Sequence, residues 1–149
     1  MNAAPLRIDR RQMLGAALMA AGGWPPMMAA DADAAGVKSE TLLRTNAAWD
    51  DVPYRAYPEG VPELTVLRIT VPARGELPWH THPMPTAAYI VSGEITVEAK
   101  NGLKRHFMAG QVIPETVGSV HRGVVGDRTA EFIVFYAGVK GMRLSSRET

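Results

Sequence analysis

The chain has 149 residues, 46% of them hydrophobic and 21% charged, with a net charge of +1 and no cysteine. This is a globular balance with enough length for one core but not for two comfortable ones, and it gives nucleic-acid binding no electrostatic support. The missing cysteines exclude a disulfide framework, thiolate metal sites and a cysteine nucleophile.

The first 34 residues read as an export tag rather than as part of a fold. Arg7, Arg10 and Arg11 form a positive start, and residues 13–21 (MLGAALMAA) form a short apolar run. Gly22-Gly23 and Pro25-Pro26 break that run, and small residues follow up to Ala34. Charge, apolar run and small-residue cleavage site are the order of a secretory signal peptide. Arg10 and Arg11 ahead of a weakly hydrophobic, Ala- and Gly-rich run resemble a twin-arginine (Tat) signal. Cleavage is expected after Ala32 or Ala34. A spanning helix needs about 20 unbroken apolar residues, so no stable membrane anchor is expected after cleavage. The expected product is residues 35–149, a single domain, periplasmic or secreted.

Within that domain the punctuation is that of β-structure. Residues 37–45 (VKSETLLRT) are expected to form a first strand, and the Pro- and Gly-bearing residues 48–62 an extended loop. Residues 64–71 (LTVLRITV) are rich in β-branched side chains between Pro62 and Pro72 and predict a strand. Short strands follow at 78–82 and 87–91. Residues 94–100 alternate, with Ile95, Val97 and Ala99 on one face and Glu94, Thr96 and Glu98 on the other. Asn101-Gly102 signals a two-residue hairpin. That register sets Lys100 opposite Leu103, Glu98 opposite Arg105 and Val97 opposite His106, which turns His106 inward. Strands at 111–114, 120–125 and 131–138 complete the set, and the polar tail from Lys140 is expected to be loose. Eight to ten short strands without a helix predict an all-β sandwich or closed barrel.

The chemistry gathers between Gly75 and Gly93, GELPWHTHPMPTAAYIVSG. His80 and His82 are one residue apart, so on a strand both imidazoles leave from the same face and can share one divalent metal. His121, in Gly118-Ser119-Val120-His121, is the third candidate ligand. The alternative is a barrel whose histidines only hydrogen-bond inside it. Arg122 should face away from His121. His106 either lines the cavity or is a wall residue. Trp79, Met84 and Tyr89 either line a pocket or pack in the core or an interface. Tyr136 places its hydroxyl in the cavity or points outward.

These residues resemble the cupins. Gly75, His80, His82 and Gly93 match the family's first motif. Gly110, Pro114, Gly118 and His121 match its second, with the proline shifted and Val125 where an asparagine is usual. The resemblance spans about half of the expected domain and implies a cupin double-stranded β-helix, or jelly-roll barrel, preceded by the signal peptide. It also implies one divalent metal on His80, His82 and His121. The glutamate that the family adds to its first motif is absent: that position falls at Thr86 or Ala87, and a neutral hydroxyl is a poor ligand beside imidazoles. Glu115, six residues before His121, is a candidate replacement. The family includes three-histidine iron oxygenases, so the resemblance implies a metal-dependent, dioxygenase-like enzyme of small molecules, with iron first and zinc, nickel, copper or manganese as alternatives. The rival readings are a Lewis-acid isomerase or lyase and a non-catalytic ligand- or metal-binding cupin. A homodimer follows from the family's habit.

Overall fold

The computed structural model describes residues 36–148; the expected signal peptide, with Arg10 and Arg11, lies outside them. Nine strands appear and no helix among the described residues: β1 Pro62–Val71, β2 His80–Thr81, β3 Thr86–Ser92, β4 Glu94–Ala99, β5 Lys104–Met108, β6 Val112–Pro114, β7 His121–Val125, β8 Ala130–Val139 and β9 Ser146–Arg147. They form two sheets, ordered β1-β8-β3-β6 and β5-β4-β7-β2-β9, and every paired strand is antiparallel.

Alternation builds the core. Ala88 and Ile90 of β3, Phe132, Val134 and Tyr136 of β8 and Ile113 of β6 are buried on the inner face of the first sheet. Ile95 and Val97 of β4, Phe107 of β5, and His121 and Val125 of β7 are buried on the other. Two apolar inner faces set against each other supply the hydrophobic driving force of a jelly roll. Close packing leaves Gly123 no room for a side chain, because a Cβ there would meet Ile95 Cδ1 at 2.5 Å. Trp49, fully buried, comes from the expected loop: its backbone N–H donates to Pro114 O at 2.8 Å, and this seats the indole in the core without any strand periodicity.

Three local expectations are corrected. Residues 37–45 form no strand and stay exposed, because their apolar residues, Val37, Leu42 and Leu43, find no sheet partner. The β4–β5 hairpin is one residue longer in its turn than Asn-Gly predicts. Ala99 N–H donates to Leu103 O, and Lys100, Asn101 and Gly102 make the connection, with Gly102 at φ 87°. The pairs are therefore Glu98–Lys104, Val97–Arg105 and Thr96–His106. A one-residue slip reverses every face, so His106 stands outside, 3.5 Å from Glu94. The tail is not loose either: Ser146 and Arg147 pair with Thr81 and His80 as β9.

Candidate metal centre

Two strands of one sheet bring the histidines together. His80 of β2 and His121 of β7 are direct partners across the ladder, so their imidazoles leave on the same, inner face. His82 follows two residues after His80 and shares that face. The ring centroids lie 4.4 Å apart for His80 and His121, 4.8 Å for His80 and His82, and 5.3 Å for His82 and His121. One nitrogen from each ring lies within 4.8 Å of the other two.

The other nitrogen of each ring is engaged by the main chain. His80 Nδ1 donates to Pro78 O at 2.6 Å, His82 Nδ1 to Leu144 O at 2.8 Å, and His121 Nδ1 to Ser119 O at 3.1 Å. The Thr116 hydroxyl donates to Ser119 O and accepts from His121 Nδ1 at 2.9 Å. A proton held at Nδ1 leaves the lone pair on Nε2, which is the form a metal requires. The Nε2 atoms of His80 and His82 face each other at 3.1 Å. Nitrogens held about 2.1 Å from one ion are separated by about 3.0 to 3.4 Å between right-angled and tetrahedral arrangements, and the observed spacing falls in that range.

The facing sheet supplies a carboxylate. Glu115, directly after β6, places Oε2 3.2 Å from His121 Nε2. Both atoms are buried and neither makes a well-aligned hydrogen bond. A carboxylate oxygen and an imidazole nitrogen held 3.2 Å apart in the interior need a cation, either a proton on His121 or a metal ion, so the residues present fit a divalent metal. Burial alone would hold Glu115 neutral, but its contact with His121 and the nearby His82 and His80 outweigh burial and draw its carboxyl down. Burial likewise works against a charged His121, and Glu115 overcomes it, so His121 is raised. His80 and His82, mainly through burial, are lowered and stay neutral more readily. Tyr54 fixes the chain at this point: its hydroxyl donates to the main-chain oxygen of Glu115 at 2.8 Å, and its pKa is pushed up to about 12, chiefly by burial and then by the Glu115 charge.

His80, His82 and Glu115 open onto a cavity of about 220 Å³ between the sheets, walled by Ile69, Leu77, Ile95, Ile113, Phe132 and Val134. Tyr136 also lines it, with its ring 5.7 Å from that of His82 and its hydroxyl kept protonated, first by burial and then by Glu115. The remaining sequence candidates lie elsewhere. Thr86 faces inward but its hydroxyl is spent on Met84 O at 3.2 Å, and Met84 is buried in the core away from the cavity wall. Tyr89 alternates outward between Ala88 and Ile90. Trp79, next to His80, turns to the opposite face, where Lys100 and Arg122 stand 4.5 and 5.0 Å from its ring. Arg122 faces away from His121, as expected, and binds Glu98 and Glu76. Lys104 and Arg122 hold the Glu98 carboxyl below its ordinary value.

Sequence reasoning missed the tail's contribution. Leu144 O orients His82, and Ser145 and Arg147 line the cavity. No spacing rule connects residue 144 to residue 82; only the β2–β9 pairing does.

No family model matches the sequence, and no curated relative matches it either. Solved structures do share the fold. The DMSP lyase DddQ from Ruegeria pomeroyi is 21% identical over 56% of this chain and 42% of its own, with a TM-score of 0.50. A structure of the DMSP lyases RdDddP and RnDddQII is 16% identical over 58% and 44%, with a TM-score of 0.51. A cupin-like protein from Thermotoga maritima is 13% identical over 57% and 64%, with a TM-score of 0.50. The matched region spans less than half the length of the two lyase chains. Two facing antiparallel sheets and these structural neighbours together show that the described domain has the jelly-roll barrel fold of the cupin-like structures.

Proposed function

We propose that the barrel holds one divalent metal on His80, His82 and His121, with Glu115 as a fourth, anionic donor, and that it is an enzyme of oxygenase type acting on small molecules. One observation supports the metal site: a nitrogen from each of the three rings converges while each Nδ1 proton is held by a main-chain carbonyl, and the oxygenase type rests on the cupin resemblance. The bound metal would supply a redox centre or a Lewis acid, with iron first and zinc, nickel, copper or manganese as alternatives. The chain does the rest. The carbonyls fix each ring, Glu115 offsets positive charge, and the apolar walls keep water from the reacting atoms.

Tyr136 favours a second reading, a lyase or isomerase in which the metal acts only as a Lewis acid. Its hydroxyl stays protonated at neutral pH and shares the cavity with the Glu115 carboxylate, so a proton donor and a proton acceptor both line the substrate space.

The test is elemental mass spectrometry on chain purified without chelators or an affinity tag, beside a His80→Ala/His121→Ala control. The expected result is about one metal per chain, lost in the control. No metal in either sample, even after reconstitution with Fe²⁺, Zn²⁺, Ni²⁺ and Mn²⁺, would retire this reading. Substrate turnover that persists without O₂ would move the assignment from oxygenase to lyase or isomerase.

A further inference from the structure

The C-terminal residues are held to the barrel at several points around one side chain. Leu144 O accepts the His82 proton, and β9 pairs with β2. Glu148 N–H donates to Trp79 O at 3.0 Å, and the Glu148 carboxylate pairs with Lys100 Nζ at 2.7 Å. A two-residue strand has little stability of its own, so these ties, made on both sides of Arg147, set where Arg147 stands. They place it, with Ser145, on the lining of the cavity that His80, His82 and Glu115 also line.

Arg147 makes no ion pair among the described residues, a state it shares with Lys38, Arg44, Arg55, Arg128, Lys140 and Arg143, but of these it alone lines this cavity. Among the described residues it is the one lysine or arginine on that lining, and Glu115, the one carboxylate of theirs there, is engaged with His121. The remaining lining, histidines, Tyr136 and Ser145 apart, is aliphatic or aromatic. A guanidinium at an apolar cavity matches a carboxylate in charge and in fork geometry. The volume, about 220 Å³, lies below the range of about 300 to 1,000 Å³ usual for drug-sized ligands, so the occupant is small.

We propose that Arg147, with Ser145 beside it, receives the anionic end of the molecule that occupies this cavity, and that the substrate class is a small carboxylate with an apolar body. This rests on the reading of the cavity as the substrate site. Arg147 is exposed and outside the core, so its replacement leaves the fold intact.

The test is calorimetric titration of butyrate and hexanoate against butyramide and hexanamide, on zinc-loaded and metal-free chain, for the wild type, Arg147→Gln and Arg147→Lys. The wild type is expected to favour acid over amide by about ten-fold or more. Arg147→Gln should abolish that preference in the metal-free chain, with amide affinity unchanged, and Arg147→Lys should keep part of it. An acid preference that survives Arg147→Gln belongs to another group and overturns the proposal, as does equal affinity for acid and amide in the wild type. Elemental analysis of the same samples reads the metal assignment separately. A chain that takes no metal yet prefers acids through Arg147 retires that assignment and leaves this one standing.

Discussion

The proposed site takes its carboxylate from Glu115, because the positions where a cupin-like first motif would carry one hold Thr86 and Ala87. Thr86, one of the two positions where that carboxylate would fall, lies on β3 with its hydroxyl turned to Met84 O. Glu115 reaches His121 from the end of β6. Glu115→Gln keeps the shape and removes the charge. Metal affinity should then fall on the order of ten- to a hundred-fold, measured by competition with a chromophoric chelator. Thr86→Val should leave that affinity unchanged and cost about 1 kcal/mol in urea unfolding, the worth of one internal hydrogen bond. Loss of metal from Thr86→Val would reverse the two roles. The triad was legible because strand alternation fixes His80 and His82 to one face whatever the rest of the barrel does. Glu115 was legible only as a candidate, since its approach to His121 depends on how two sheets face each other.

At the scale of elements, strands were legible wherever β-branched residues alternate between Pro or Gly boundaries, as in β1, β4 and β8. Register was less so. The β4–β5 connection uses three residues where Asn101-Gly102 suggests two, and that slip alone moved His106 from inside to outside. Two glycines separate conformational from steric need. Gly102 sits at φ 87° in open space, so Gly102→Ala should cost only the left-handed backbone, about 1 to 2 kcal/mol. Gly93 also has a positive φ, 78°, but a Cβ there would meet Ala130 Cα at 2.7 Å and Thr129 O at 2.8 Å. Neither backbone atom can move aside freely, so Gly93→Ala should cost about 3 kcal/mol or more. Thermal or urea unfolding of both variants checks the order, and equal losses would show that the β3–β4 turn has room to shift.

At the scale of the whole molecule, the jelly-roll barrel requires only that inner faces be apolar and turns be frequent, and both are visible in the chain. What was not visible is the dependence of the site on distant segments, Trp49 and Tyr54 beside Pro114 and Glu115, and residues 144–147 beside His82 and the cavity. The proposed export of this domain by the twin-arginine route rests on Arg10, Arg11 and the weak apolar run behind them. Replacing both arginines with lysine should abolish accumulation outside the cytoplasm, followed by fractionation and immunoblotting; normal accumulation would reject that route.

The three imidazoles take their orientation from the carbonyls of Pro78, Ser119 and Leu144, with the Thr116 hydroxyl adding a second hold on His121. Carbonyls belong to every residue, so the side chains at 78, 119 and 144 can drift over evolutionary time without turning the rings. A change in chain length cannot be absorbed in the same way. Deleting one residue between Gly141 and Leu144 would carry a different carbonyl past His82, and one inserted after Thr116 would do the same to His121. Ring orientation is therefore insensitive to side-chain identity at these three positions and sensitive to insertion and deletion, and divergent relatives of this chain should vary in residue identity there while keeping the spacing around them.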